Sequence, residues 1–82
     1  MGGIRLLVLS QEGNWRIRVG NKFSRPYLSQ SEAVREAFDR ARALGKDGFE
    51  SEVVLNVLTC QFGPNDFFKT VPTPRRRREG SA

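Results

Sequence analysis

"SQSEAVREAFDRARALG", residues 29–45, decides how the rest of the chain is read. Ser29 followed by Glu32 has the S-x-x-E spacing of a capping box, in which each side chain satisfies a backbone N–H that a helix start leaves unpaired. Ala33, Val34, Ala37, Phe38, Ala41 and Leu44 then recur at helical spacing along one stripe, and Gly45 reads as the stop. The alanines make a flat seam that lets the helix approach a sheet closely, with Phe38 as the expected deep anchor. Glu32, Arg35, Glu36, Asp39 and Arg40 fall on the opposite face, where the Glu36–Arg40 and Arg35–Asp39 pairs are four apart and offset one another. That face is expected in water.

A helix with one apolar stripe needs an apolar surface to cover it, and the flanking segments read as strands. "IRLLVLS" is a short apolar run, "QEGN" is polar with a glycine, and "WRIRV" alternates large apolar residues with arginine, so these segments read as a hairpin. Trp15, Ile17 and Val19 point to the core, and Arg16 and Arg18 point the other way, because side chains alternate across a strand. Gly20-Asn21 suits a tight turn into "KFSRPYL". Pro26 cannot donate to a ladder, so that strand lies at an edge or stops pairing there. Phe23, Arg25 and Tyr27 share a face by parity unless a bulge near Pro26 shifts it.

After the helix, "KDGFESE" reads as a loop and "EVVLNVLT" as one well-buried, central strand. "CQFGPNDFFKTV" starts as a strand, turns through Gly63, Pro64, Asn65 and Asp66, and returns as a short strand over Phe67, Phe68 and Val71. The expected fold is α+β: a small antiparallel sheet in the order β-β-β-α-β with a final short strand, and the helix packed on one face. Residues 1–71 form one expected domain. Residues 72–82 read as a disordered, arginine-rich tail, since nothing in them is large and apolar enough to anchor it.

The composition excludes several kinds of chemistry. The chain has no histidine and one cysteine, which removes Ser-His-Asp and Cys-His catalysis and the zinc sites built from Cys and His. Without clustered carboxylates there is little material for an enzyme, so no catalytic residue, metal or cofactor is assigned. Cys60 beside an apolar strand reads as a small packed hydrophobe, and Asp66 as a turn residue. Cys60 cannot pair within the chain, and no leader-like apolar run precedes the first strand, so the cytoplasm is the expected compartment. No stretch approaches the roughly 20 apolar residues that span a bilayer, so no membrane role is expected.

The net charge of +5 suggests nucleic acid, but its distribution weakens the suggestion. Four arginines and one glutamate in residues 72–82 account for +3, leaving +2 for the body. Arginine outnumbers lysine eleven to three, and its planar fork pairs with phosphate as lysine cannot, although GC-rich coding produces the same bias.

"NWRIRVGNKFSRPYLSQSEAVREAFDRARALG" together with the later "FGPNDF" resembles a family of small, uncharacterised bacterial domains of alphaproteobacterial type. These are built as a Trp-containing strand, a second strand, a Ser/Thr-rich helix start with Glu-Ala, an alanine-rich helix and a closing strand. The resemblance covers roughly Asn14 to Phe68 and implies no catalytic residues. The chain departs from it in the extra "IRLLVLS" strand and the arginine tail. Three strands followed by an S-x-x-E-A helix are also similar to the arm-site DNA-binding domains of phage integrases, in which a sheet enters the major groove. That similarity implies that Arg5, Arg16, Arg18, Lys22 and Arg25 gather on the exposed sheet face.

Two classes of partner follow. The first is a protein partner or a second copy of the chain, met by an exposed sheet edge or by the aromatic turn. Phe67 and Phe68 are adjacent on a strand, so one of them must lie outside the core, and "FGPNDFF" is the preferred surface. The edge beside Pro26 and the first strand are the expected places for strand addition. The second class is nucleic acid, met by Arg16 and Arg18 on the sheet and by Arg75, Arg76, Arg77 and Arg78 as a nonspecific electrostatic anchor. An interaction or accessory module is the expected function, with nucleic-acid binding the alternative.

Overall fold

The computed structural model describes residues 3–73. The chain runs β1 (Ile4–Gln11), β2 (Asn14–Val19), β3 (Lys22–Phe23), α1 (Gln30–Lys46), β4 (Ser51–Val54), β5 (Leu58–Gly63) and β6 (Phe67–Pro72). All six strands join one sheet in the order β3-β2-β1-β4-β5-β6, and α1 rests on one face over β1, β2, β4 and β5. The class is α+β, as expected. Among these residues no helix is long and apolar enough to cross a membrane.

The sheet is mixed, which corrects the antiparallel expectation. β1 pairs with β2 antiparallel and with β4 parallel, Leu6 standing opposite Val53. The direction follows from the connections: two hairpins leave β3 running with β1, α1 carries the chain back, and β4 sets out the same way again. β1 and β4 take the centre because they carry apolar residues on both faces, as central parallel strands do. Leu6, Val8 and Val53 lie buried under α1, while Leu7 and Val54 pair on the opposite face and are half-buried.

"EVVLNVLT" is two strands, not one. β4 ends at Val54, the chain turns through Leu55–Leu58 with the Leu55 N–H donating to Leu58 C=O at 2.9 Å, and β5 runs back beside β4. Val57 projects from the tip and is 69% exposed. Asn56 is a lone turn-favouring residue, and beside the β-branched Val57, with no glycine or proline near it, it is too weak a signal to break the run. β6 includes Pro72 and so ends one residue beyond the expected boundary.

The segment around Pro26 bulges. Ser24 Oγ accepts the Ile17 N–H at 2.9 Å, and the ladder resumes only where Trp15 and Tyr27 exchange backbone bonds of 2.9 and 2.7 Å. The expected strand is therefore reduced to two residues, and the parity it implied is broken. Phe23 is exposed, Tyr27 is buried, and the Arg25 guanidinium lies 5.4 Å from the Tyr27 ring centroid.

α1 starts at its expected N-cap, although the Glu32 side chain makes no return bond to the Ser29 N–H, and it departs from its sequence signals at the end. Ser29 is the N-cap and its Oγ accepts the Glu32 N–H at 3.2 Å. Ala33, Ala37 and Ala41 are fully buried, so the seam brings the helix axis down onto Leu6, Ile17 and Val53. Phe38 is not the deep anchor; it lies at the flank, partly buried, because the close approach of the alanines leaves no room for a ring between helix and sheet. Gly45 is not the stop. It is buried inside α1, facing the Gly63 carbonyl, and the helix runs on to Lys46. The left-handed residue that ends it is Gly48, with φ 91°. On the wet face Arg40 pairs with Glu36 at 3.2 Å as expected, but Asp39 pairs with Arg42 at 3.6 Å, not with Arg35.

Candidate functional site

Among the described residues the sheet has two free edges, and only one is long. β3 offers two residues beside the Pro26 bulge, whereas β6 offers six. β1 lies between β2 and β4 and has no free edge, which removes it as a place for strand addition.

The direction of the β6 backbone groups can be worked out from its neighbours. Leu55 N–H donates to Leu58 C=O, so the backbone groups of Leu58, Cys60 and Phe62 point toward β4, and those of Thr59, Gln61 and Gly63 point toward β6. Their partners on β6 are Val71, Lys69 and Phe67, and the Thr73 N–H donating to Val57 C=O at 2.9 Å continues the same alternation. The N–H and C=O of Phe68 and Thr70 therefore point away from the sheet, together with the C=O of Pro72. Proline sits where its missing N–H leaves no gap in the β5 ladder.

Aromatic side chains flank this edge on both faces. Phe68, opposite Phe62, lies on the helix side, where its ring centroid is 5.0 Å from Phe62 and 6.5 Å from Phe38. Phe38 and Phe62 are 5.3 Å apart, and all three contacts are edge-to-face, the arrangement that the ring quadrupole favours. Phe67 lies on the opposite face. Phe62 is buried, but Phe67 and Phe68 remain 51% and 53% exposed. The sequence places one of these two phenylalanines outside the core, and the fold leaves both half outside it, because β6 lies beyond the four strands on which α1 rests. Between the end of α1 and the β5–β6 hairpin runs an open groove of about 270 Å³, lined by Arg42, Gly45, Lys46, Phe62, Phe67 and Phe68. The hairpin turn holds Asn65 and Asp66 at φ 61° and 60°, which short polar side chains tolerate.

The second set of residues gathers on the face of the sheet that α1 does not cover. Register places Arg5, Arg16, Arg18 and Lys69 there with one acid, Glu52. Lys22 stands opposite Val19 on the helix side, and Arg25 is over Tyr27, so neither joins the group. The three arginines are already engaged. Arg5 lies 3.7 Å from Glu52, Arg16 donates to Ser24 C=O at 3.3 Å, and Arg18 donates to Gly20 C=O at 3.0 Å. Leu7, Leu9, Val54 and Val71 lie among them, half-buried, so this face is a mixed surface, not a basic one. Arg75, Arg76, Arg77 and Arg78 lie outside the described residues.

Cys60 is buried in the core, where the Thr70 hydroxyl approaches its Sγ at 3.9 Å. Among the described residues no three His, Cys, Asp or Glu side chains are grouped to hold a metal ion. No family model, curated protein or solved structure matches the chain.

Proposed function

We propose that the chain is a small interaction module that binds an extended segment by strand addition at β6. One observation carries this reading: the only long free edge among the described strands presents the backbone donors and acceptors of Phe68 and Thr70 between two half-exposed aromatic rings. Backbone bonds supply affinity in strand addition, and pockets for alternate side chains supply selectivity. Here Phe38, Phe62 and Phe68 form the apolar wall on one face, and Phe67 and Val71 stand on the other. Sheets that are not used in this way usually protect such an edge along its length with several charges, prolines or a bulge, whereas the proline of β6, Pro72, stands only at its end. β6 carries a single lysine, Lys69, and pairs with β5 without interruption from Phe67 to Pro72.

The test is selection from a library of random peptides on the immobilised chain, followed by titration of the selected peptides against the parent and Thr70→Pro. The substitution deletes an outward N–H and leaves the β5 ladder intact. Selected peptides bind the parent and lose at least about tenfold in affinity on Thr70→Pro. Failure to select any peptide, or binding indifferent to Thr70→Pro, refutes the reading.

Nucleic-acid binding is the second reading, favoured by the four cations against one acid on the uncovered face. Its mark is affinity for a mixed-sequence duplex or single strand that falls steeply with salt and weakens on Arg16→Gln/Arg18→Gln. The engagement of all three arginines by local partners supports the first reading over this one.

A further inference from the structure

Strand addition at β6 leaves open what the added strand is. We infer that it is β6 of a second copy, antiparallel, with a twofold axis passing between the two Thr70 residues. This rests on the reading of β6 as an interaction edge.

The register follows from which groups the edge presents. Outward-facing residues must oppose outward-facing residues; a centre at Val71 pairs Thr70 with Pro72 alone and makes only two backbone bonds, so the centres to weigh are Phe68, Lys69 and Thr70. A centre at Phe68 sets Thr70 against Asp66 of the second copy, a residue at φ 60° in the hairpin turn that cannot continue a strand. A centre at Lys69 makes four backbone bonds, but it sets the two Lys69 side chains opposite one another at a non-hydrogen-bonded pair, where like charges repel at close range. A centre at Thr70 avoids both faults. The two Thr70 residues exchange a pair of bonds, and each Phe68 N–H donates to the Pro72 C=O of the other copy, making four in all. The missing N–H of each Pro72 leaves the facing Phe68 carbonyl of the other copy without a donor, two in the dimer. Lys69 faces Val71 of the other copy, and each Phe68 ring lies beside a Pro72 ring.

The axis of an antiparallel strand pair is perpendicular to the sheet, so both helices lie on the same side. Because each α1 rests on β1, β2, β4 and β5, the two copies of β6 meet without a helix above them. The result is one continuous sheet of twelve strands, twice the six of each copy, whose central trough is walled by Phe38 and Phe68 from both sides.

The area sets the strength. A phenylalanine covers on the order of 200 Å², so the exposed halves of Phe67 and Phe68 in two copies offer about 400 Å² of ring surface. With the two strand backbones and Pro72 added, the buried total falls near 1,000 Å², the lower bound of specific interfaces, so the expected dissociation constant is on the order of 10–100 µM. The dimer forms at high local concentration and dissociates on dilution.

The experiment is sedimentation of the full chain from about 5 to about 500 µM, with Thr70→Pro and Thr70→Lys as variants. The parent shifts from the monomer mass toward the dimer mass across this range. Thr70→Pro stays monomeric and still unfolds cooperatively, at a midpoint lowered only by the lost Thr70–Cys60 contact and the proline φ. Thr70→Lys, which keeps every backbone donor but sets two ammonium groups across the axis, weakens association at least about tenfold. A parent that stays monomeric throughout overturns the dimer, as do variants that associate as well as the parent. If the parent is monomeric while selected peptides still bind in a Thr70-dependent way, the dimer falls and the strand-addition reading stands; if neither is seen, both fall.

Discussion

Gly45→Ala separates packing from propensity with opposite signs. In an ordinary helix interior, alanine is more stable than glycine by about 1 kcal/mol, so a local reading expects a gain. The fold places Gly45 against the end of β5, where an added Cβ would lie 2.7 Å from the Gly63 carbonyl oxygen and 3.3 Å from its carbon. That oxygen belongs to the backbone, so relief requires moving α1 or the β5–β6 hairpin. Overpacking costs about 1–3 kcal/mol, and a fixed backbone atom at 2.7 Å puts this case in the upper part of that range, about 2–3 kcal/mol, which exceeds the propensity gain and leaves a net loss of about 1–2 kcal/mol. For a chain of this size that is a fall in Tm of roughly 5–15 °C. The assay is urea unfolding followed by circular dichroism, with the exposed Ala43→Gly as a control that loses about 1 kcal/mol through propensity alone. Two opposite substitutions, two positions apart on one helix, should both destabilise. A Gly45→Ala chain as stable as the parent, or more stable, would refute the close contact of α1 with β5 and with it the shape of the groove beside Phe68.

Other substitutions test the remaining elements. Ser29→Ala removes the acceptor of the Glu32 N–H and should cost about 1 kcal/mol, read as a lower urea midpoint with an unchanged slope. Phe62→Ala empties a buried position between two rings and should cost about 3–5 kcal/mol, whereas Phe67→Ala, half in water, should cost about 1 kcal/mol or less; equal losses would contradict the burial of Phe62. Arg16→Met removes a guanidinium whose Nε is buried without a partner while keeping the aliphatic stem, so stability should change by less than about 0.5 kcal/mol. A large loss there would mean that the bond to Ser24 is a principal tie of the bulge.

What could be read in advance depended on how local each signal was. The start of α1 and its alanine seam are set by residues within a few positions of one another, and Ser29, Ala33, Ala37 and Ala41 behave as their spacing requires. The end of α1 is not a local signal, because two glycines, Gly45 and Gly48, stand three apart, and only the packing partner, Gly63, tells the buried one from the cap. The alternation of Arg16 and Arg18 against Ile17 was legible for the same local reason. The turn at Leu55–Leu58 was not, since Asn56 alone interrupts an apolar run and no glycine or proline demands a turn. Strand order is farther still from the sequence. That β1 is interior and β6 is the long free edge depends on β4 inserting beside β1, a nonlocal choice governed by which strands have two faces to bury. The candidate site was thus half visible: Phe67 and Phe68 could be named from their adjacency, but the outward backbone of Phe68 and Thr70 could not.

Amide hydrogen exchange resolved at single residues of β6 distinguishes an open edge from a covered one. At low concentration the inward amides of Lys69 and Val71 should be protected by β5, while those of Phe68 and Thr70 exchange freely. With rising concentration the outward pair should gain protection and the inward pair should keep theirs. Protection of Thr70 at high dilution would mean that the edge is already covered within one chain and that β6 is not open for a partner strand.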